Sequence, residues 1–171
     1  NSMKLPHNNR LLIFSALLLT SLFFYGCDED EYYMADLSTV PEPYLDERTP
    51  EERIEHDNDL VIHVYEEGEG QFTVSDRDVV LVRYTGRLEN GNIFDSSWVD
   101  GNENPMERSV QDMEEGLFQG MLGMHEGGVR TIVIPAELGY GSQGRGGGRG
   151  FSEIPPNSTI TYDIELIEIL D

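Results

Sequence analysis

Only one cysteine, Cys27, occurs in the 171 residues, which excludes an intramolecular disulfide and any cysteine-rich zinc site. Positive charge is scarce as well. Lysine and arginine together number 11, with Lys4 the sole lysine, against 33 acidic residues, for a formal charge of -22. A chain of that sign is a poor partner for the phosphate backbone of a nucleic acid. His7, His56, His63 and His125 show neither His-x-x-x-His nor His-Glu-x-x-His spacing, so no metal site and no cofactor are expected. Ser96 and Ser97 lack a nucleophile-elbow context. The glycine run at 144–150 neither follows a strand nor opens a helix with Lys-Ser or Lys-Thr, and it reads as a mobile loop rather than a phosphate cradle.

Long apolar runs are absent too, apart from residues 11–24, which follow Lys4, His7 and Arg10 and end at Gly26-Cys27. That order is a secretory signal: a positive start, an apolar stretch and a small residue at the break. A spanning helix needs about 20 apolar residues, so the run is short for an uncleaved anchor, the alternative reading. Phe24-Tyr25-Gly26-Cys27 resembles a bacterial lipoprotein lipobox, which implies that Cys27 is lipidated and holds the mature protein at a membrane. Asp28-Glu29-Asp30-Glu31 reads as a solvated spacer, and also resembles the acidic export signals of some Bacteroidota surface lipoproteins. Residues 1–26 are thus expected to be a signal peptide and 27–59 an acidic tether, within which Thr49-Pro50-Glu51-Glu52 has the order of a helix start. Residues 60–171 form the expected domain.

In that domain the β-rich runs 60–65 and 79–84 stop near glycines, and Asn90-Gly91 between apolar flanks is a turn signal. Ile160, Tyr162, Ile164 and Leu166 alternate with Thr161, Asp163 and Glu165, the pattern of a strand with one buried and one wet face. Leu117, Met121 and Met124 recur at helical spacing over 114–124, although Gly116, Gly120 and Gly123 weaken that helix. Strands, one short helix and strands again make an α+β domain, a curved antiparallel sheet wrapped around one helix.

The motifs Arg83-Tyr84-Thr85-Gly86, Phe94-Asp95-Ser96-Ser97, Gly139-Tyr140-Gly141, Ile154-Pro155-Pro156 and Tyr162-Asp163-Ile164-Glu165-Leu166 closely resemble the FKBP-type peptidyl-prolyl cis/trans isomerases. The resemblance implies a half-barrel with a substrate pocket between helix and sheet, and proline-containing polypeptides as partners. It also implies roles for particular residues. Tyr84, Phe94 and Tyr162 would be pocket walls, Leu117 the floor and Ile154 part of a lid loop. Asp95 would lie beside the substrate carbonyl, Tyr140 would donate its hydroxyl to the peptide, and Glu114 would offer its backbone N–H. Two residues depart from the family pattern. Leu117 stands where many members have Trp, and Arg108 stands where a pocket Phe is expected, which implies either reduced activity or a pocket tuned to anionic peptides. A monomer is expected.

Such chemistry requires no nucleophile. Rotation about an imide bond has only to overcome loss of amide resonance, a barrier of about 18 to 20 kcal/mol, and no covalent bond breaks. A thousandfold acceleration corresponds to about 4 kcal/mol, within reach of a dry pocket and one or two donors. Two alternatives remain on sequence grounds: a non-catalytic peptide-binding or chaperone module on the same fold, and an accessory lipoprotein of an envelope machine.

Overall fold

The computed structural model describes residues 33–170. Cys27 and the signal-like segment before it lie outside the described residues. A four-residue helix α1 (Tyr44–Glu47) comes first, followed by strands β1 (Glu52–Glu55), β2 (Val61–Glu66), β3 (Val79–Leu88), β4 (Ile93–Ser96) and β5 (Met106–Ser109). The main helix α2 (Glu115–Met121) then precedes β6 (Val129–Ile134) and β7 (Ile160–Leu170). The strands form one antiparallel sheet in the order β1-β2-β6-β7-β3-β4, with β5 sharing the outer edge of β3 beside β4. The expected curved antiparallel sheet over one helix is the observed fold.

Alternation builds the core. Ile160, Tyr162, Ile164 and Leu166 of β7 are all buried, and they meet Val80, Val82 and Tyr84 of β3 and Ile132 and Ile134 of β6 on the same face. The glycines that weaken α2 as an isolated helix let it approach the sheet. A Cβ on Gly116 would stand 2.3 Å from Ile134, and one on Gly120 would stand 2.6 Å from Ile132. Arg130 of β6 reaches under the helix end and donates to the carbonyls of Gly120 at 2.9 Å and Leu122 at 3.4 Å, groups the helix itself leaves unpaired.

Three sequence expectations change. The helix is shorter than 114–124, ending at Met121. No helix starts at Thr49. Residues Glu52–Glu55 instead extend as β1 and pair with β2, placing Ile54 against the core while Glu52, Arg53 and Glu55 face water. The second face of β7 is not uniformly wet, because Asp163 is 5% exposed. Its carboxylate accepts from Arg87 at 2.7 Å and from the Thr131 hydroxyl at 2.5 Å. The N-terminal segment covers this pair: the Tyr44 amide donates to Asp163, and Arg87 donates to the Pro41 carbonyl. Burial pushes the Asp163 carboxyl up from its ordinary value, and the contacts from Thr131, Arg87 and the Tyr44 amide pull it part of the way back.

Candidate functional site

Between α2 and the concave face of the sheet lies a pocket of about 120 Å³. Tyr84 from β3, Asp95 from β4, Arg108 from β5, Glu114 and Leu117 from the start of α2, Tyr140 from the loop after β6 and Tyr162 from β7 all line it. Seven of the residues singled out by sequence therefore converge. Two do not line it. Phe94, 1% exposed, lies behind the pocket with its ring edge-on to Tyr162 at 5.4 Å and to Tyr140 at 6.3 Å. Ile154, 2% exposed, packs into the core and exchanges backbone bonds with Arg145 at 2.9 and 2.7 Å.

Local chemistry explains the motifs. Gly86 carries no side chain because a Cβ there would stand 2.6 Å from the Phe94 ring, so the glycine lets that ring press on β3. Ser96 and Ser97 are structural: both are buried, the Ser97 hydroxyl accepts from the Tyr84 amide at 2.9 Å, and Ser96 donates to the Tyr84 carbonyl at 3.2 Å. These bonds fix the backbone under the Tyr84 wall. Arg108 donates to the Tyr84 hydroxyl at 2.5 Å and lies 5.3 Å from that ring's centroid, filling the place of an aromatic side chain with a flat cation. Burial pushes the Tyr84 hydroxyl up to about 12, the Asp95 carboxylate adds to this, and Arg108 opposes it. The Tyr162 hydroxyl is also raised well above its ordinary value, chiefly by burial. Both phenols remain protonated donors at neutral pH.

Arg145 escaped the sequence reading because it sits in the glycine run, where composition says only loop. In the fold its guanidinium donates to the Phe94 carbonyl at 2.7 Å, stands 4.0 Å from the Asp95 carboxylate, and lies over the Phe94 and Tyr140 rings at 5.5 and 5.2 Å. The signal available in sequence was Gly144. Its φ is +63°, and a Cβ there would stand 2.2 Å from the Ile154 carbonyl, so only glycine delivers the next residue into the pocket. The expected mobile loop is tied on both sides of Arg145. Val82, Met113 and Ile164 complete the apolar lining.

Glu114 contributes more than its backbone. The Tyr140 hydroxyl donates to its carboxylate. Burial pushes that carboxyl up from its ordinary value, its own backbone amide and Arg145 pull it down, Asp95 pushes it up again, and the Tyr162 hydroxyl lowers it slightly.

A family model described as FKBP-type peptidyl-prolyl cis-trans isomerase matches residues 70–167. An FK506-binding protein of Neisseria meningitidis serogroup A is 38% identical over 112 residues, covering 66% of this chain and 97% of the relative. A probable FKBP-type peptidyl-prolyl cis-trans isomerase of Haemophilus influenzae is 38% identical over 110 residues, covering 64% of this chain but 42% of the relative's length. Among solved structures, FkpA from Escherichia coli superposes with a TM-score of 0.60 at 33% identity, covering 71% of this chain and 53% of that one.

Proposed function

Since the chain belongs to the FKBP-type peptidyl-prolyl cis-trans isomerases, we propose that its own pocket catalyses rotation about X-Pro bonds in polypeptides at the cell envelope, with Cys27 as the lipid attachment point. The observation that carries the catalytic part is a small cleft walled by Tyr84, Tyr162 and Leu117, with the Tyr140 hydroxyl and the ion pair of Asp95 with Arg145 at its side. The planar imide is polar through charge separation from nitrogen to carbonyl oxygen. The apolar walls withdraw part of the solvation that favours this form, while fixed donors hold the carbonyl of the twisted form. Phe94 acts through the residues it supports. Arg145 lies between Asp95 and the Tyr140 ring, and so sets the position of both.

A protease-free isomerisation assay with a prolyl peptide tests this. Wild type is expected to accelerate the reaction, and Asp95→Ala to lower kcat/KM by about tenfold, equivalent to about 1.4 kcal/mol of barrier. The same variant should retain its unfolding midpoint, because Asp95 is only half-buried. Binding of prolyl peptides with no rate above the spontaneous one would leave a non-catalytic peptide-binding module in its place.

Location rests on the N-terminal signal. Slow X-Pro isomerisation, tens to hundreds of seconds, limits folding outside the cytoplasm as within it, and a tethered monomeric isomerase would serve exported chains there. Cys27→Ser is expected to release the protein from membranes or leave it unprocessed. Normal processing with full co-sedimentation after a high-salt wash would overturn the lipid anchor.

A further inference from the structure

The one hydroxyl that the catalytic proposal assigns to the peptide is already engaged. Tyr140 donates to the Glu114 carboxylate, so a substrate carbonyl has to take the hydroxyl from a charged group of the protein itself. That carboxylate has no ion-pair partner within 4.0 Å among the described residues. The two pocket arginines are engaged elsewhere, Arg108 on Tyr84 and Arg145 on the Phe94 carbonyl and Asp95. The Tyr162 hydroxyl also faces this carboxylate, so loss of Tyr140 leaves it with one hydroxyl and no paired cation, a deficit that a positive charge on the incoming ligand makes good.

We propose that Glu114 is a specificity-determining residue: on binding, its carboxylate swings from Tyr140 to a cationic side chain immediately before the proline, freeing the hydroxyl for the peptide carbonyl. The inference rests on the isomerase assignment and adds to it the chemical class of the preferred substrate, a Lys-Pro or Arg-Pro segment. It reverses the preference expected from Arg108 alone. That guanidinium is engaged with Tyr84, whereas the carboxylate next to the working hydroxyl is the group in need of a counter-charge.

The groups facing Glu114 are Tyr140 and Arg145 from the loops after β6, Asp95 from β4 and Tyr162 from β7. Arg145 opposes a cationic ligand at every pH used, so its effect is constant across the comparison.

The test compares two peptides that differ only in having lysine or N-acetyl-lysine before the proline, at low salt. With wild type, kcat/KM for the lysine peptide is expected to exceed that for the acetylated one by about tenfold, or about 1.4 kcal/mol, and Glu114→Gln should bring the ratio close to one. In wild type the ratio should also fall as pH is lowered through the Glu114 carboxyl, which loses its charge there. Equal rates for the two peptides, or a ratio that survives in Glu114→Gln, would overturn the inference. If Glu114→Gln does not fold, the wild-type pH series decides, a flat ratio counting against it. Calorimetric Kd values for the same pair separate the two levels. Preferential binding of the lysine peptide without catalysis would remove the isomerase assignment and leave Glu114 as the selecting group, whereas catalysis of both peptides at one rate would do the reverse.

Discussion

Arg87→Met is expected to destabilise the protein by about 3 to 5 kcal/mol, the usual cost of stranding one member of a buried ion pair. The Arg87 and Asp163 side chains are 8% and 6% exposed at 2.7 Å separation, and the pair closes over the sheet under Pro41 and Tyr44. Most of the loss comes from the Asp163 charge left behind, and this fixes the pH dependence. The carboxyl is already raised by burial in wild type, and losing Arg87 raises it further. A raised acid binds protons more tightly folded than unfolded, so the penalty is full above the folded value and shrinks as pH falls through it. Denaturant midpoints for wild type and variant should therefore converge on acidification. Arg87→Met combined with Asp163→Asn should recover part of the loss at neutral pH. A single variant with an unchanged midpoint at pH 7 would show that the pair contributes little.

The second large effect is at Phe94. Truncation to alanine removes a fully buried ring and is expected to cost about 3 to 5 kcal/mol. It also removes the surface on which Tyr140, Tyr162 and Arg145 rest. Activity should fall with stability, so Phe94→Leu is the informative companion. Leucine restores most of the apolar contact but neither the edge-on aromatic contacts nor the face that Arg145 covers, and is expected to keep most of the stability while lowering kcat/KM by about tenfold, or 1.4 kcal/mol of barrier. Wild-type kcat/KM in a folded Phe94→Leu would show that the ring does no more than fill space.

The legible parts of this protein were those in which local pattern and long-range packing agree. Strand β7 alternates over its core positions, Asn90-Gly91 makes its turn with Gly91 at φ +83°, and Tyr84, Asp95 and Tyr140 sit in motifs dense enough to identify. The misread parts set one against the other. Thr49-Pro50-Glu51-Glu52 has the local chemistry of a helix start, but the unpaired edge of β2 offers a ladder of backbone bonds, and Ile54 gains burial only if the chain is extended. Asp163 reads as a solvent-facing member of an alternating strand because its cover lies far back in the chain, at Tyr44, 119 residues earlier, and at Pro41. Arg145 had no periodicity to place it. Glu114 was legible as a backbone donor, yet its side chain's bond to Tyr140 depends on a loop 26 residues away.

The docking of the N-terminal segment bears on where this molecule can be cut. The match to the family model begins at residue 70, but the physical unit begins much earlier. The Ala35 amide bonds the Arg149 carbonyl in the glycine loop, Asp100 bonds the Asp36 carbonyl, and β1 seals the edge of β2. A fragment trimmed to residues 70–167 would uncover the Arg87 and Asp163 charges to water and leave a bare strand edge open to another chain. It would also slacken the loop that presents Arg145. Proteolytic nicking in residues 35–55 would then act on the pocket from the opposite side of the sheet, and the shortest fragment worth expressing starts before Ala35.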